Sequence, residues 1–110
     1  GISVSFNGNE YLIPEAEIAV ISDNTAITSL LADIFNRYGS DTVRDFVVSY
    51  YKDPETALEA GFINPKLAEK VLNYKLPQVE IVNCDNMDSL IEESTKFRRE
   101  VRGEAIGGLG

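Results

Sequence analysis

The chain contains no histidine, no tryptophan, one cysteine and one methionine in 110 residues. Histidine is the side chain whose unperturbed pKa lies near neutrality, and most general acid–base catalysis uses it. Transition-metal sites draw on clusters of histidine and cysteine. Both chemistries lack their usual residues here. A single cysteine, Cys84, excludes an internal disulfide framework and suits a reducing compartment, the cytoplasm. With no histidine to activate it, Cys84 reads as a small, partly buried apolar residue after a strand, not as a nucleophile. No apolar run approaches the ~18 residues that cross a bilayer. No signal-peptide pattern opens the residues given.

Positive charge is also scarce. Ten basic residues face eighteen acidic ones, a net charge of −8, and residues 1–60 hold ten acidic residues against three basic ones. Such a chain is repelled by nucleic acid and by anionic membranes, so neither is expected as a direct partner. A basic protein surface is the complementary one. The commoner role of such charge is to solubilise. The 44% hydrophobic content is that of an ordinary globular domain, and excludes disorder of the whole chain.

Local signals then divide the sequence. Asn7-Gly8 between alternating residues predicts a β-hairpin, because a type I′ turn takes positive φ at both central positions. Phe6 would face Asn9, Val4 would face Tyr11 and Ile2 would face Ile13, with Pro14 ending the second strand. Residues 15–22 read either as a short strand (Ile18, Val20, Ile21) or as a helical turn opened by Pro14. Asp23-Asn24-Thr25 supplies N-cap residues. Ile27, Leu30, Leu31, Ile34, Phe35 and Tyr38 follow at helical offsets, and Gly39 stops them. Ser40-Asp41 then caps a stripe of Val43, Phe46, Val47, Tyr50 and Tyr51. Asp53-Pro54 and Asn64-Pro65 each predict a helix start with proline in the first turn. Residues 79–82 read as a third strand, and Asp85-Asn86 as the cap of a last helix with Met87, Leu90, Ile91, Ser94, Phe97 and Val101 inward. The expected fold is α+β: a small antiparallel sheet of hairpin plus third strand, packed on four to five helices. Residues 1–102 form the domain. Residues 103–110, half glycine, form a flexible tail.

The motifs of common enzymes are absent. Neither GxxxxGK[ST] nor GxGxxG occurs, so no phosphate loop is expected. The carboxylate pairs Asp41/Asp45, Asp85/Asp88 and Glu92/Glu93 are sequence neighbours on helix faces, not groups flanking a sugar-sized cleft. The run Asn83 to Asp88 is oxygen-rich but lacks the glycine of a calcium loop, and helix capping accounts for it. Gly107-Gly108 resembles the end of ubiquitin-like modifiers, but Leu109-Gly110 follow and the preceding segment is helical. No catalytic residue, metal site or cofactor is expected. Tyr11, Tyr38 and Tyr50 are expected at the core edge.

The candidate residues are therefore those of a binding surface. Asp33, Asp41 and Asp45 represent the acidic half. Lys96, Arg98, Arg99 and Arg102 gather positive charge near a helix end, where they also complement its dipole. Ile106 and Leu109 are apolar anchors in the glycine-rich tail. In outline, the opening Val4-Ser5-Phe6-Asn7-Gly8-Asn9-Glu10-Tyr11-Leu12-Ile13 followed by capped helices is similar to small assembly and accessory proteins of tailed phages. The likeness covers those ten residues. The expected function is a non-enzymatic protein-interaction module: an adaptor, chaperone or assembly factor, of phage type if the resemblance holds. The alternative is an acidic inhibitor that fills the basic groove of a nucleic-acid-binding protein. Homo-oligomerisation is compatible with both.

Overall fold

Ile18-Ala19-Val20-Ile21 offers apolar side chains to both faces of a strand, and the fold is built around it. The computed structural model describes the backbone of residues 1–107 and the side chains of residues 1–100. Strands β1 (Val4–Phe6), β2 (Ile18–Ile21) and β3 (Gln78–Ile81) form one mixed sheet in the order β1-β2-β3. β1 runs parallel to β2 and β3 antiparallel to it. Helices α1 (Ala26–Tyr38), α2 (Ser40–Lys52), α3 (Pro54–Leu58) and α4 (Pro65–Leu72) lie between β2 and β3 in sequence, and α5 (Met87–Gly107) follows β3. The architecture is α+β. Ile18, Val20 and Val79 face the core formed with the helices between β2 and β3, whereas Ala19 and Ile21 pack with Ile13 and Leu90 on the other side. With both faces covered, all four residues of β2 are buried.

The predicted hairpin does not form, and the antiparallel sheet expected from it is mixed instead. Asn7 does adopt positive φ (50°), but among the described glycines only Gly39 does, so a type I′ turn at Asn7-Gly8 is absent. The Asn7 side chain docks on β2's extension instead. Its Nδ2 donates to the Ser22 carbonyl at 2.7 Å, and its Oδ1 accepts from the Ser22 amide at 2.9 Å. Asn9 then turns the chain, its Oδ1 accepting from the amides of Tyr11 and Leu12. Residues 13–15 close a short 3-10 helix with Pro14 in its first turn. Ile18–Ile21 wins the place beside β1 because it buries apolar residues on both faces, and Asn9–Ile13 could bury only one. Tyr11, expected at the core edge, is 75% exposed as a result. The ambiguous segment contains both readings, a helical turn and then a strand.

Gly8 has a different function from turning. A Cβ on it would stand 2.0 Å from Ser5 Oγ, and its carbonyl accepts a 2.6 Å hydrogen bond from Ser94 of α5. Ser5 Oγ is buried and makes no hydrogen bond to another protein group. Gly8→Ala is expected to cost about 1–3 kcal/mol through overpacking. Ser5→Ala should be neutral or stabilising, since it removes a buried unsatisfied hydroxyl. In the double variant the Gly8→Ala cost should shrink; strictly additive costs in urea denaturation would contradict the contact.

The helical stripes follow the sequence closely. Ile27, Leu30, Leu31 and Ile34 of α1, and Val43, Phe46, Val47 and Tyr50 of α2, are buried. Asp53 and Asn64 accept from amides of the first turns of α3 and α4. Four positions depart from expectation, the first being Tyr51, which is 67% exposed because it lies about 100° round α2 from buried Tyr50. Phe35 is 40% exposed and Tyr38 is also exposed, because both project beyond the helix–sheet contact; Tyr38 packs edge-to-face on Phe62. Ser40 is the first residue of α2 and not its cap, since Gly39 (φ 92°) alone joins α1 to α2. At the last helix, Asn83 accepts from the Asp85 and Asn86 amides while Asn86 accepts from the Asn83 amide. This closed pair orders the turn ahead of α5, and the predicted Asn86 stands directly before Met87 with its carbonyl accepting from the Leu90 amide. α5 continues to Gly107, so Gly103 lies inside it. A mid-helix glycine costs only about 1 kcal/mol, which does not force a stop.

Candidate interaction surfaces

The sequence-predicted acidic residues do not act as one group. On α1, Asp33 is paired with Arg37 at 2.8 Å, and the same guanidinium reaches the Phe62 carbonyl and lies over the Tyr38 ring. On α2, Asp41 pairs with Arg44 at 2.9 Å. Arg44 also makes two hydrogen bonds, at 2.8 and 3.2 Å, to Glu17 ahead of β2. Those bonds hold the Glu17 carboxyl below its ordinary pKa and raise that of Arg44. These pairs tie helices to the sheet and to the loop after α3.

Asp45 differs. It lies on the wall of a cleft of about 630 Å³ between α2 and α3, with Phe46, Ala57, Ala60 and Phe62 among the apolar lining. Asp53 and Glu59 add two further carboxylates, and Lys52 adds one ammonium. Asp45, Ser49 and Lys52 share the cleft because they are spaced 0, 4 and 7 along α2. The Asp53-Pro54 turn then brings Glu59 round to face them. Asp53 is fixed in place by the Thr56 amide (3.3 Å) and hydroxyl (2.7 Å), and these bonds hold its carboxyl below the usual range. It therefore stays anionic at neutral pH, and its cap is lost only as pH falls through that lowered value. Asp53 and Glu59 were not singled out from sequence. The cap signature at Asp53 was visible, but its proximity to Asp45 depends on the turn.

The basic candidates lie on the opposite layer. Lys96 and Arg99 are exposed on α5, and Arg98 is half-buried with its Nη2 near Thr95 Oγ1. The side chains of Arg102 and Ile106, and the whole of Leu109, lie outside the described residues. The sheet stands between these cations and the α2–α3 cleft.

Two carboxylates do converge elsewhere, though not a pair adjacent in sequence. Gln78 Nε2 donates to Glu80 at 2.6 Å and also to Glu93, joining β3 to α5. Among the described residues no three His, Cys, Asp or Glu side chains gather into a metal-binding group, and no helix is long and apolar enough to cross a membrane. Cys84, expected to be partly buried, is exposed in the loop after β3, because the cap of α5 turns that loop outward.

The chain matches no family model, no curated protein and no solved structure. Its surfaces must be read from their own chemistry.

Close to the cleft, Tyr50 is buried and donates to the Pro77 carbonyl at 2.6 Å. Burial pushes its hydroxyl up to about 12. In the unfolded chain it ionises near pH 10. Between these values only the unfolded state sheds the proton, so stability falls as pH rises from 10 towards 12, by roughly 2–3 kcal/mol in all. Urea denaturation at pH 9 and above 11 should show this loss in the native sequence and a smaller one in Tyr50→Phe. Equal losses in both would assign the effect to other groups.

Proposed function

We propose that this chain is a non-enzymatic protein-interaction domain whose α2–α3 cleft takes a basic, partly apolar segment of another protein. The observation that carries this reading is the composition of that cleft: three carboxylates against one ammonium, over a floor containing Phe46, Ala57, Ala60 and Phe62. An Arg or Lys head fits the rim and an apolar neighbour fits the floor, the pattern of a buried anchor within a polar border. Roles as an adaptor, chaperone or assembly factor all use such a surface. The exposed thiol of Cys84 suits a reducing compartment. An acidic occupant of a nucleic-acid-binding groove has less support. Such a mimic needs a projecting anionic face, whereas Asp33 and Asp41 are paired with arginines and Asp45 opens into a concavity.

The test is an NMR titration with short peptides that combine one Arg or Lys with one Leu or Phe. Shifts should localise to Ser49, Thr56 and Ala60. Affinity should fall with added salt, and the double variant Asp45→Lys, Glu59→Lys should bind at least about 10-fold more weakly, which is 1.4 kcal/mol. Shifts scattered over the surface, or salt-independent binding, would sink the reading.

A further inference from the structure

We propose that β1 pairs with β1 of a second copy of this chain, antiparallel about a two-fold axis through Ser5, to make one continuous six-stranded sheet. β1 is an edge strand. On its inner side the Ser3 carbonyl accepts from the Glu17 and Ile18 amides, and the Asn7 amide donates to the Val20 carbonyl. Backbone direction alternates along a strand, so Val4 and Phe6 turn their N–H and C=O groups to the open side. An antiparallel neighbour centred on Ser5 sets Val4 against Phe6 of the partner subunit, and Phe6 against Val4 of the partner subunit. Both are then hydrogen-bonded pairs that use those outward groups. A one-residue slip would instead oppose residues whose groups are already spent on β2.

The side chains agree with the backbone. Val4 and Phe6 are 39% and 37% exposed, although both lie on the face of the sheet that packs on the helices. Beside them, between β1 and α1, runs a groove of about 300 Å³ lined by Ile2, Leu31, Ala32 and Phe35 among others. A two-fold axis normal to the sheet keeps Val4 and Phe6 of the partner subunit on this same face, over the groove. Each copy thus supplies the apolar side chains that the other's groove receives.

Charge selects the second copy as occupant. Natural edge strands are guarded by lysine, proline or a covering loop. Residues 1–9 contain no charged residue and no proline, within a chain of net charge −8. Two copies can meet along β1 without apposing like charges, because β1 itself carries none. The strands are three residues long, so the buried area falls below the ~1,200 Å² of standard interfaces. The dimer is therefore weak and concentration-dependent. Because the rest of each copy is anionic, it should tighten as salt is added, the opposite of the behaviour expected at the cleft.

Sedimentation equilibrium from micromolar to millimolar protein, with amide exchange on the native sequence, tests the pairing. A monomer–dimer equilibrium is expected. The Val4 and Phe6 amides should become protected as concentration rises, while Ser5 stays protected throughout. Phe6→Lys should weaken association at least 10-fold. Three results would overturn the proposal: a monomer at every concentration with fast Val4 and Phe6 exchange, a dimer that weakens with salt, or a dimer indifferent to Phe6→Lys in a variant whose circular dichroism is native. The first two need no variant, so a misfolded Phe6→Lys does not spare the proposal.

Discussion

Phe46→Ala is expected to lower the free energy of unfolding by about 3–5 kcal/mol. The Phe46 ring is 2% exposed, at the centre of the larger core cluster, and lies 5.9 Å from the Tyr50 ring. Its removal leaves a cavity bounded by α-helical side chains that cannot close over it. A domain of this size has about 5–15 kcal/mol in total, so the variant should approach the threshold of folding. Phe35→Ala is the control. Phe35 belongs to an equally regular stripe but borders the groove beside β1, and its loss should cost less than about 1.5 kcal/mol. Chemical denaturation of the two variants checks the contrast. Similar losses would mean that burial does not separate these rings.

The second large effect is expected at Asn7. Asn7→Ala should cost about 2–4 kcal/mol, more than a typical polar substitution. It removes two hydrogen bonds and leaves the Ser22 amide and carbonyl without their partner, in a residue only 4% exposed. It also places a residue poorly suited to positive φ at 50°. Asn7→Gly restores the backbone freedom but not the hydrogen bonds, so it should recover only the conformational part, roughly 1 kcal/mol. If Asn7→Gly recovered nearly all of the loss, the side-chain bonds to Ser22 would be shown to contribute little.

These two residues also mark what the sequence discloses and what it does not. The Phe46 stripe is legible because helical periodicity is local: spacing alone puts Val43, Phe46, Val47 and Tyr50 on one face. The caps at Asp53 and Asn64 are legible for the same reason. Asn7-Gly8 is misread because its local signal competes with a distant one. A hairpin and a parallel pairing with Ile18–Ile21 both satisfy β1, and the choice depends on which partner is covered on its second face by α5. Phe35 is misread because periodicity gives direction but not the extent of the neighbouring layer. Within the cleft, Asp45 was legible as one of the acidic residues of the first sixty and a candidate for a binding surface. Its companions Asp53 and Glu59 were not, since the angle between α2 and α3 decides their meeting.

The hydrogen bond from Ser94 to the Gly8 carbonyl joins residues 86 positions apart, and it has a consequence for the order in which the molecule is completed. The strands and the first four helices are all synthesised before α5 emerges. Until then one face of the sheet, with Ile13, Ala19 and Ile21, has nothing to cover it. The nascent chain therefore carries a bare apolar surface until α5 emerges, and α5 closes it by bonding to Gly8, two residues after β1. A chain interrupted between Ile81 and Leu90 would keep nearly every element of the fold and still expose that surface, as a sticky fragment instead of a smaller working domain.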